Sequence, residues 1–296
     1  MRLLHLSISE RRGEPARQLD FGREKGGVGF VAITGPEGSG KTSTLEAIAL
    51  HKEHLAPYNA QPSVTDFTGE RSRDLFEIES EWKLDESEVA ETGSDGDVIV
   101  GKSRFQDGIG TTEADPALAF VLGRFHTGDW VPKVDLFPES RLGPPRGAAA
   151  GDPTTWQRMY RLGLDTKKYA GLSRLLLEAD ERLAAGVGEL LGQICPGLRL
   201  LDDRLTFGTS YGQRRLGKLS LSQRLSFELA ATFVLVGLKR SVVMIDGIER
   251  GFPAGAALRV VQALQSYAPD TQLIVTTHDH ALLTLPEGKT IHLERS

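Results

Sequence analysis

Gly35-Pro36-Glu37-Gly38-Ser39-Gly40-Lys41-Thr42 decides how the rest of this chain reads. The octapeptide fits G-x-x-x-x-G-K-[ST], a pattern whose chance expectation in a chain of this composition is roughly 0.02. Its glycines let backbone N–H groups curl around phosphate oxygens, and the positive end of a following helix points at the same charge. Lys41 would reach the β- and γ-phosphates, and the Thr42 hydroxyl would take one Mg²⁺ position. Gly35, Gly38, Ser39, Gly40, Lys41, Thr42 and Ser43 are therefore the candidate nucleotide-binding residues. The flanks agree: Phe30 to Thr34 reads as a short buried strand, and an amphipathic helix is expected from about Lys41 to Leu50.

A second acid-ended strand lies far downstream. Val242-Val243-Met244-Ile245-Asp246 is four apolar residues closed by a carboxylate, the form in which a nucleotide fold holds its second Mg²⁺ ligand. A helix from about Ala254 to Tyr267, a strand Leu273–Thr276 and a short strand Thr290–Leu293 follow. Strand and helix alternating in this way imply a parallel sheet with helices on its faces. Thr276-Thr277-His278-Asp279 then stands at a strand end, the edge where such sheets bind nucleotides, although a histidine there also serves structural roles. Upstream, Leu219-Ser220-Leu221-Ser222-Gln223 opens a helix with Leu221, Leu225, Leu229 and Phe233 on one face. Ser220 and Gln223 make a capping box, which by itself accounts for both residues.

Composition narrows the class. The 296 residues allow one large domain or two small ones, with ample chain to bury a core. A hydrophobic content of 40% with 25% charged residues excludes wholesale disorder. The single cysteine, Cys195, excludes a disulfide framework and any Cys-clustered zinc or iron–sulfur site. The longest apolar run, Leu229 to Leu238, is ten residues, against about 20 for a membrane span. Polar residues follow Met1–His5 too soon for a signal peptide, so a cytoplasmic protein without membrane contact is expected.

Net charge is −5, but unevenly placed. Asp66 to Asp97 holds twelve acids against three bases, a face that solvent accepts and a nucleic-acid backbone repels. Residues 199–224 carry six bases and two acids, which could meet phosphates of DNA or line a nucleotide interface. Between Asp74 and Gln106 the alternation reads as an acidic antiparallel hairpin. The Gly-, Pro- and Ala-rich stretch from Gly143 to Thr155 is the best subdomain boundary, and a helix with a 3.6-residue period is expected from Ala170 to Ile194. The organisation expected is one domain, 1–296. Its nucleotide-binding core is 1–57 and 199–296, joined by an acidic β-hairpin region, 66–110, and a mainly helical insertion, 111–198.

In this order, the four motifs resemble those of ABC-type ATPases: Walker A at 35–42, signature at 219–223, Walker B at 242–246, and the switch histidine His278. Within that group the chain looks most like the RecF/SMC-like and OLD-like branch, often described as AAA-family ATPases. The strand Leu3–Ile8 before the phosphate loop, Phe137-Pro138-Glu139-Ser140-Arg141, and the Ile245–Pro253 segment carry this likeness. The resemblance implies an α/β P-loop NTPase fold: a mainly parallel sheet with flanking helices, an antiparallel β-hairpin element and a helical subdomain. It implies ATP and Mg²⁺ as cofactors, with Thr42 and Asp246 as metal ligands. It further implies a head-to-tail homodimer, ATP being clamped between one phosphate loop and Ser220, Ser222 and Gln223 of the other copy.

Three positions depart from the pattern. Gly247 stands where the family places its catalytic glutamate, Phe252 where a histidine is frequent, and the family's Gln finds only Gln61 or Gln106. Glu249 is the candidate base in place of residue 247, with His278 beside it. Three functions compete: an ATP-hydrolysing dimeric switch, an ATP-gated binding module poor in hydrolysis, and a transporter energy subunit. The 179 positions between Lys41 and Ser220 count against the last, which keeps that stretch much shorter. With 18 residues after His278, a nuclease domain is not expected there, nor does the sequence show a long heptad segment. Effector activity is therefore expected from a separate chain, with DNA repair or phage defence as the settings the resemblance suggests.

Overall fold

The computed structural model describes residues 1–10, 15–58, 75–107, 109–127, 132–139, 161–162, 166–169 and 171–295, without the side chains of 124–127, 166 and 167. The expected boundary at Gly143–Thr155, and Gln61, lie outside these residues. Five strands make the parallel sheet, in the order β13 (Lys289–His292), β3 (Phe30–Thr34), β12 (Gln272–Thr276), β11 (Val242–Ile245) and β7 (Val134–Phe137). Every neighbouring pair is parallel, and the registers Val243↔Leu273 and Ile274↔Val31 bring the strand ends into one row. The fold class expected from the sequence is borne out.

Alternation along these strands builds two cores. Val31, Ile33, Val242, Met244 and Ile274 face one side, and Phe30, Ala32, Val243, Ile245, Leu273 and Val275 the other. The first side packs on α1 (Lys41–Leu55) and, beyond it, an antiparallel sheet ordered β2 (Arg17–Asp20), β1 (Arg2–Ile8), β4 (Phe76–Lys83), β5 (Val98–Gln106) and β6 (Ile109–Ala114). The buried amide of Gln272 joins the two sheets: Oε1 accepts from Leu3 N at 2.8 Å, and Nε2 donates to Leu3 O at 3.0 Å and Val28 O at 3.2 Å.

The second side carries the helices. These include α4 (Leu172–Glu178), α5 (Glu181–Ile194), α6 (Leu221–Leu235) and α7 (Ala256–Tyr267). They follow α2 (Glu86–Thr92) and α3 (Pro116–Thr127), and α8 (His280–Leu283) comes last. A small antiparallel sheet of β8 (Arg199–Leu200), β9 (Thr206–Thr209) and β10 (Gly212–Arg215) precedes α6.

Four details differ from the sequence reading. The acidic hairpin is two strands of a larger sheet, β4 and β5, and its connector holds α2, which Asp85 caps through Ser87 N and Glu88 N at 3.1 Å each. The single helix expected over 170–194 is broken at Ala179, which is extended, and restarted by Asp180, whose carboxylate accepts from Leu183 N at 2.8 Å. Within 111–198, the described residues also supply β7 to the parallel sheet, a strand that the sequence reading does not include. Finally, α1 runs five residues past Leu50, because His51, Lys52, Glu53 and His54 are buried rather than solvated.

Candidate functional site

The C-terminal ends of β3, β11, β12 and β7 form one edge, where the phosphate loop, Asp246 and His278 follow their strands. After β3 the chain turns at Gly35, where a Cβ would stand 2.2 Å from Leu293 O and 2.7 Å from Ser39 Oγ; only glycine fits. Gly40, at φ +81°, is the N-cap of α1. Two carbonyls of this loop are held from the side by Arg17 on β2, whose guanidinium donates to Ser39 O at 2.8 Å and Gly40 O at 3.1 Å, and to Thr44 Oγ1 at 3.2 Å. Lys41 Nζ donates to Gly35 O and Pro36 O, each at 2.8 Å. Burial lowers the Lys41 pKa below the usual lysine range; the charge of Arg250 pushes the same way and that of Asp246 opposes it.

The structure brings Thr42 and Asp246 together across 204 positions. Thr42 Oγ1 donates to Asp246 Oδ2 at 2.9 Å, and Thr276 Oγ1 donates to Asp246 Oδ1 at 2.5 Å. The same Thr276 oxygen accepts from Gly247 N at 2.6 Å, so the ends of β11 and β12 are locked side by side. One hydroxyl and one carboxylate meeting at a phosphate loop are a hard-oxygen pair that suits Mg²⁺, which takes few protein ligands when phosphates supply the rest. The fit is good.

A cleft of about 540 Å³ opens over this edge, lined by Gly38, Lys41, Thr42, Ser43, His278, Glu139 and Arg250 among others. His278 is exposed there. Glu249 follows the turn after β11, and its Oε1 accepts from His278 N at 2.8 Å. One carboxylate oxygen is thus engaged with the main chain of His278, the buried Oε2 has no hydrogen-bond partner among the described residues, and Glu249 is not among the residues that line the cleft. A cleft of similar size, about 580 Å³, lies at the other ends of the strands, near Arg2, Lys83, Arg240 and Asp270; it has no phosphate loop.

Ser220, Ser222 and Gln223 stand apart from the cleft lining. The capping box is formed in full, Gln223 N donating to Ser220 Oγ at 3.3 Å and Ser220 N to Gln223 Oε1 at 3.0 Å. Ser220 is exposed, with its Oγ 3.2 Å from that of Ser222. Of the six bases over 199–224, Arg204 bonds the α4 carbonyls of Leu176 and Leu177, and Arg224 pairs with Glu228 at 3.8 Å. Arg199, Arg214, Arg215 and Lys218 are exposed.

Two residues escaped the sequence reading. Arg17 has no local signal at all. Glu139 is visible only as part of a resembling segment; it lies two residues past the end of β7 and lines, with Asp246, a smaller pocket of about 150 Å³. It is also ion-paired with Arg250. Gln106 closes β5 in the antiparallel sheet and is not part of the cleft lining.

Parallel sheet, phosphate loop and strand-end carboxylate together define a P-loop NTPase α/β fold. Comparison with solved structures gives SMC head domains. An SMC head bound to the C-winged helix domain of ScpA is 14% identical, with a TM-score of 0.62, covering 96% of this chain and 92% of that one. The SMC head domain from Thermotoga maritima is 16% identical, TM-score 0.54, covering 96% and 91%. The Smc head of Pyrococcus furiosus with an extended coiled coil, bound to the C-terminal domain of ScpA, is 16% identical, TM-score 0.57, covering 93% and 89%. No protein-family model and no curated protein matches the sequence. Among the described residues, no helix is long and apolar enough to cross a membrane.

Proposed function

We propose that this chain binds ATP with Mg²⁺, hydrolyses it, and uses the nucleotide to switch between separate copies and a head-to-tail homodimer. The observation that carries the reading is the Thr42–Asp246–Thr276 contact chain beside the phosphate loop. In this account Gly35, Gly38, Ser39, Gly40 and Ser43 shape and surround the phosphate site, and Lys41 releases its two loop carbonyls for the β- and γ-phosphates. Thr42 and Asp246 hold Mg²⁺, which when bound neutralises charge on the phosphate oxygens. His278 meets the γ-phosphate side from the neighbouring strand end, and Glu249 fixes the main chain of His278.

The trans half of the site comes from a second copy. Ser220, Ser222 and Gln223 surround the N-terminus of α6, where unpaired N–H groups and the helix dipole favour an anion. The exposure of Ser220, the half-buried state of Ser222 and Gln223 beside it, and the separation of all three from the cleft lining of the same chain support a role toward a partner's γ-phosphate. A separate effector protein reads the dimer; two of the similar SMC heads carry a ScpA domain. The exposed Arg199, Arg214, Arg215 and Lys218 make DNA a second candidate reader.

One observation favours slow turnover and an ATP-gated binding module. Gly247 supplies no carboxylate after Asp246, and Glu249, with Oε1 accepting from His278 N, does not line the cleft. Titration of Lys41→Ala with a non-hydrolysable ATP analogue tests the nucleotide site: affinity should fall at least a hundredfold in a folded protein, and unchanged affinity refutes the reading.

A further inference from the structure

We propose that Arg250 contacts the γ-phosphate and distinguishes ATP from ADP, exchanging Glu139 for the phosphate when it does so. The inference rests on the nucleotide site described above and adds a residue to it. Four observations lead to it.

First, the arginine stem lies where a side chain at position 247 would project. A Cβ built on Gly247 would be 2.9 Å from Arg250 Cδ and 3.2 Å from both Cγ and Nε. Second, the backbone folds it there: Arg250 N donates to Gly247 O at 2.9 Å, and Gly247 adopts a φ of +56°. Third, the guanidinium lines the same cleft as Lys41, Thr42 and His278. Two cations thus line one space, an arrangement that suits an anionic ligand. Fourth, the anion that Arg250 holds in this structure is Glu139, which lines the cleft too.

The pair is built to exchange. Its side chains are 51% and 43% exposed, and solvent screens ion pairs of that exposure so that they hold only weakly. A terminal phosphate offers three acceptor oxygens and more charge than a carboxylate, and a guanidinium binds it bidentately. ADP lacks that group, so with ADP Arg250 stays on Glu139. The released Glu139 would remain at the small pocket that it lines with Thr42 and Asp246.

Calorimetric titration with Mg²⁺ and either AMP-PNP or ADP tests this directly. Arg250→Ala should lose tenfold or more in AMP-PNP affinity and stay within twofold for ADP. Arg250→Lys should fall between, because an ammonium cannot make the bidentate contact. Glu139→Gln should bind AMP-PNP more tightly, since Arg250 no longer has a carboxylate to leave. Equal losses for both nucleotides in Arg250→Ala, or no loss, overturn the proposal. If the wild type binds both nucleotides and Lys41→Ala abolishes this, such a result sinks only the Arg250 role. If the wild type binds neither, the nucleotide reading falls with it.

Discussion

Thr276→Val removes one oxygen atom and should be felt in both stability and nucleotide binding. Thr276 is 2% exposed at the end of β12, and its hydroxyl makes two bonds, to Asp246 Oδ1 at 2.5 Å and from Gly247 N at 2.6 Å. Valine fills nearly the same volume, so no cavity of consequence opens. A hydrogen bond to a charged group is worth about 1.5–3 kcal/mol, and a buried amide left without its acceptor costs about 1–3 kcal/mol more. Part of this is recovered if Asp246 turns wholly toward Thr42, so a net loss of about 3 kcal/mol is expected. Urea unfolding of wild type, Thr276→Val and Thr276→Ser measures it. The serine variant keeps the hydroxyl and should lie within about 1.5 kcal/mol of wild type. Because the same hydroxyl orients the Mg²⁺ carboxylate, Thr276→Val should also weaken Mg²⁺-dependent nucleotide binding about tenfold, with Mg²⁺-independent binding little changed. A valine variant within 0.5 kcal/mol of wild type, roughly the scatter of surface substitutions, and with unaltered Mg²⁺ dependence would refute this reasoning.

Two further outcomes are expected. Burial pushes the His51 pKa down to about 3, against about 6.5 in an unfolded chain. The unfolded state therefore binds the extra proton, and stability contributed by this group is lost as pH falls from about 6.5 toward 3, at up to about 1.4 kcal/mol per pH unit. Urea midpoints between pH 7.5 and 5 should show a shallower slope in His51→Gln than in wild type; parallel slopes contradict the assignment. Glu249→Gln keeps an acceptor for His278 N, so phosphate release should stay within about tenfold of wild type while Glu249→Ala falls further; a loss of about 10²–10⁴-fold in the Gln variant would instead make Glu249 the general base.

The parts of the fold readable in the sequence are those where one local rule acts alone. β3, β11 and β12 are built on the apolar runs Phe30 to Ile33, Val242 to Ile245 and Leu273 to Val275, buried on both faces, and the glycine pattern before Lys41 admits few alternatives. Where a polar residue is buried by tertiary contacts, the sequence misleads. β7 contains Asp135, which is fully buried and ion-paired with Arg161, so Val134–Phe137 did not read as a core strand. The end of α1 lies five residues beyond the sequence expectation for the same reason. Lys52 pairs with Glu53 at 2.7 Å and lies over the Tyr58 ring, and His51 is held between Ser80 and Ser103, each at 2.7 Å. Those partners are up to 52 positions away and leave no periodic trace. At the site, the Thr42 and Asp246 pairing followed from motif order alone. Arg17 and Glu139 reach the loop and the strand edge only through sheet topology, which no spacing rule encodes.

The ATP-gated dimer is the central claim, and light scattering with AMP-PNP and Mg²⁺ tests it most directly. Wild type should double in mass with AMP-PNP and remain monomeric with ADP. Ser220→Arg places a bulky cation at the exposed N-cap of α6; it should bind AMP-PNP as wild type does and remain monomeric. A wild type that binds AMP-PNP without changing mass, or a Ser220→Arg protein that forms the same dimer, would contradict the account.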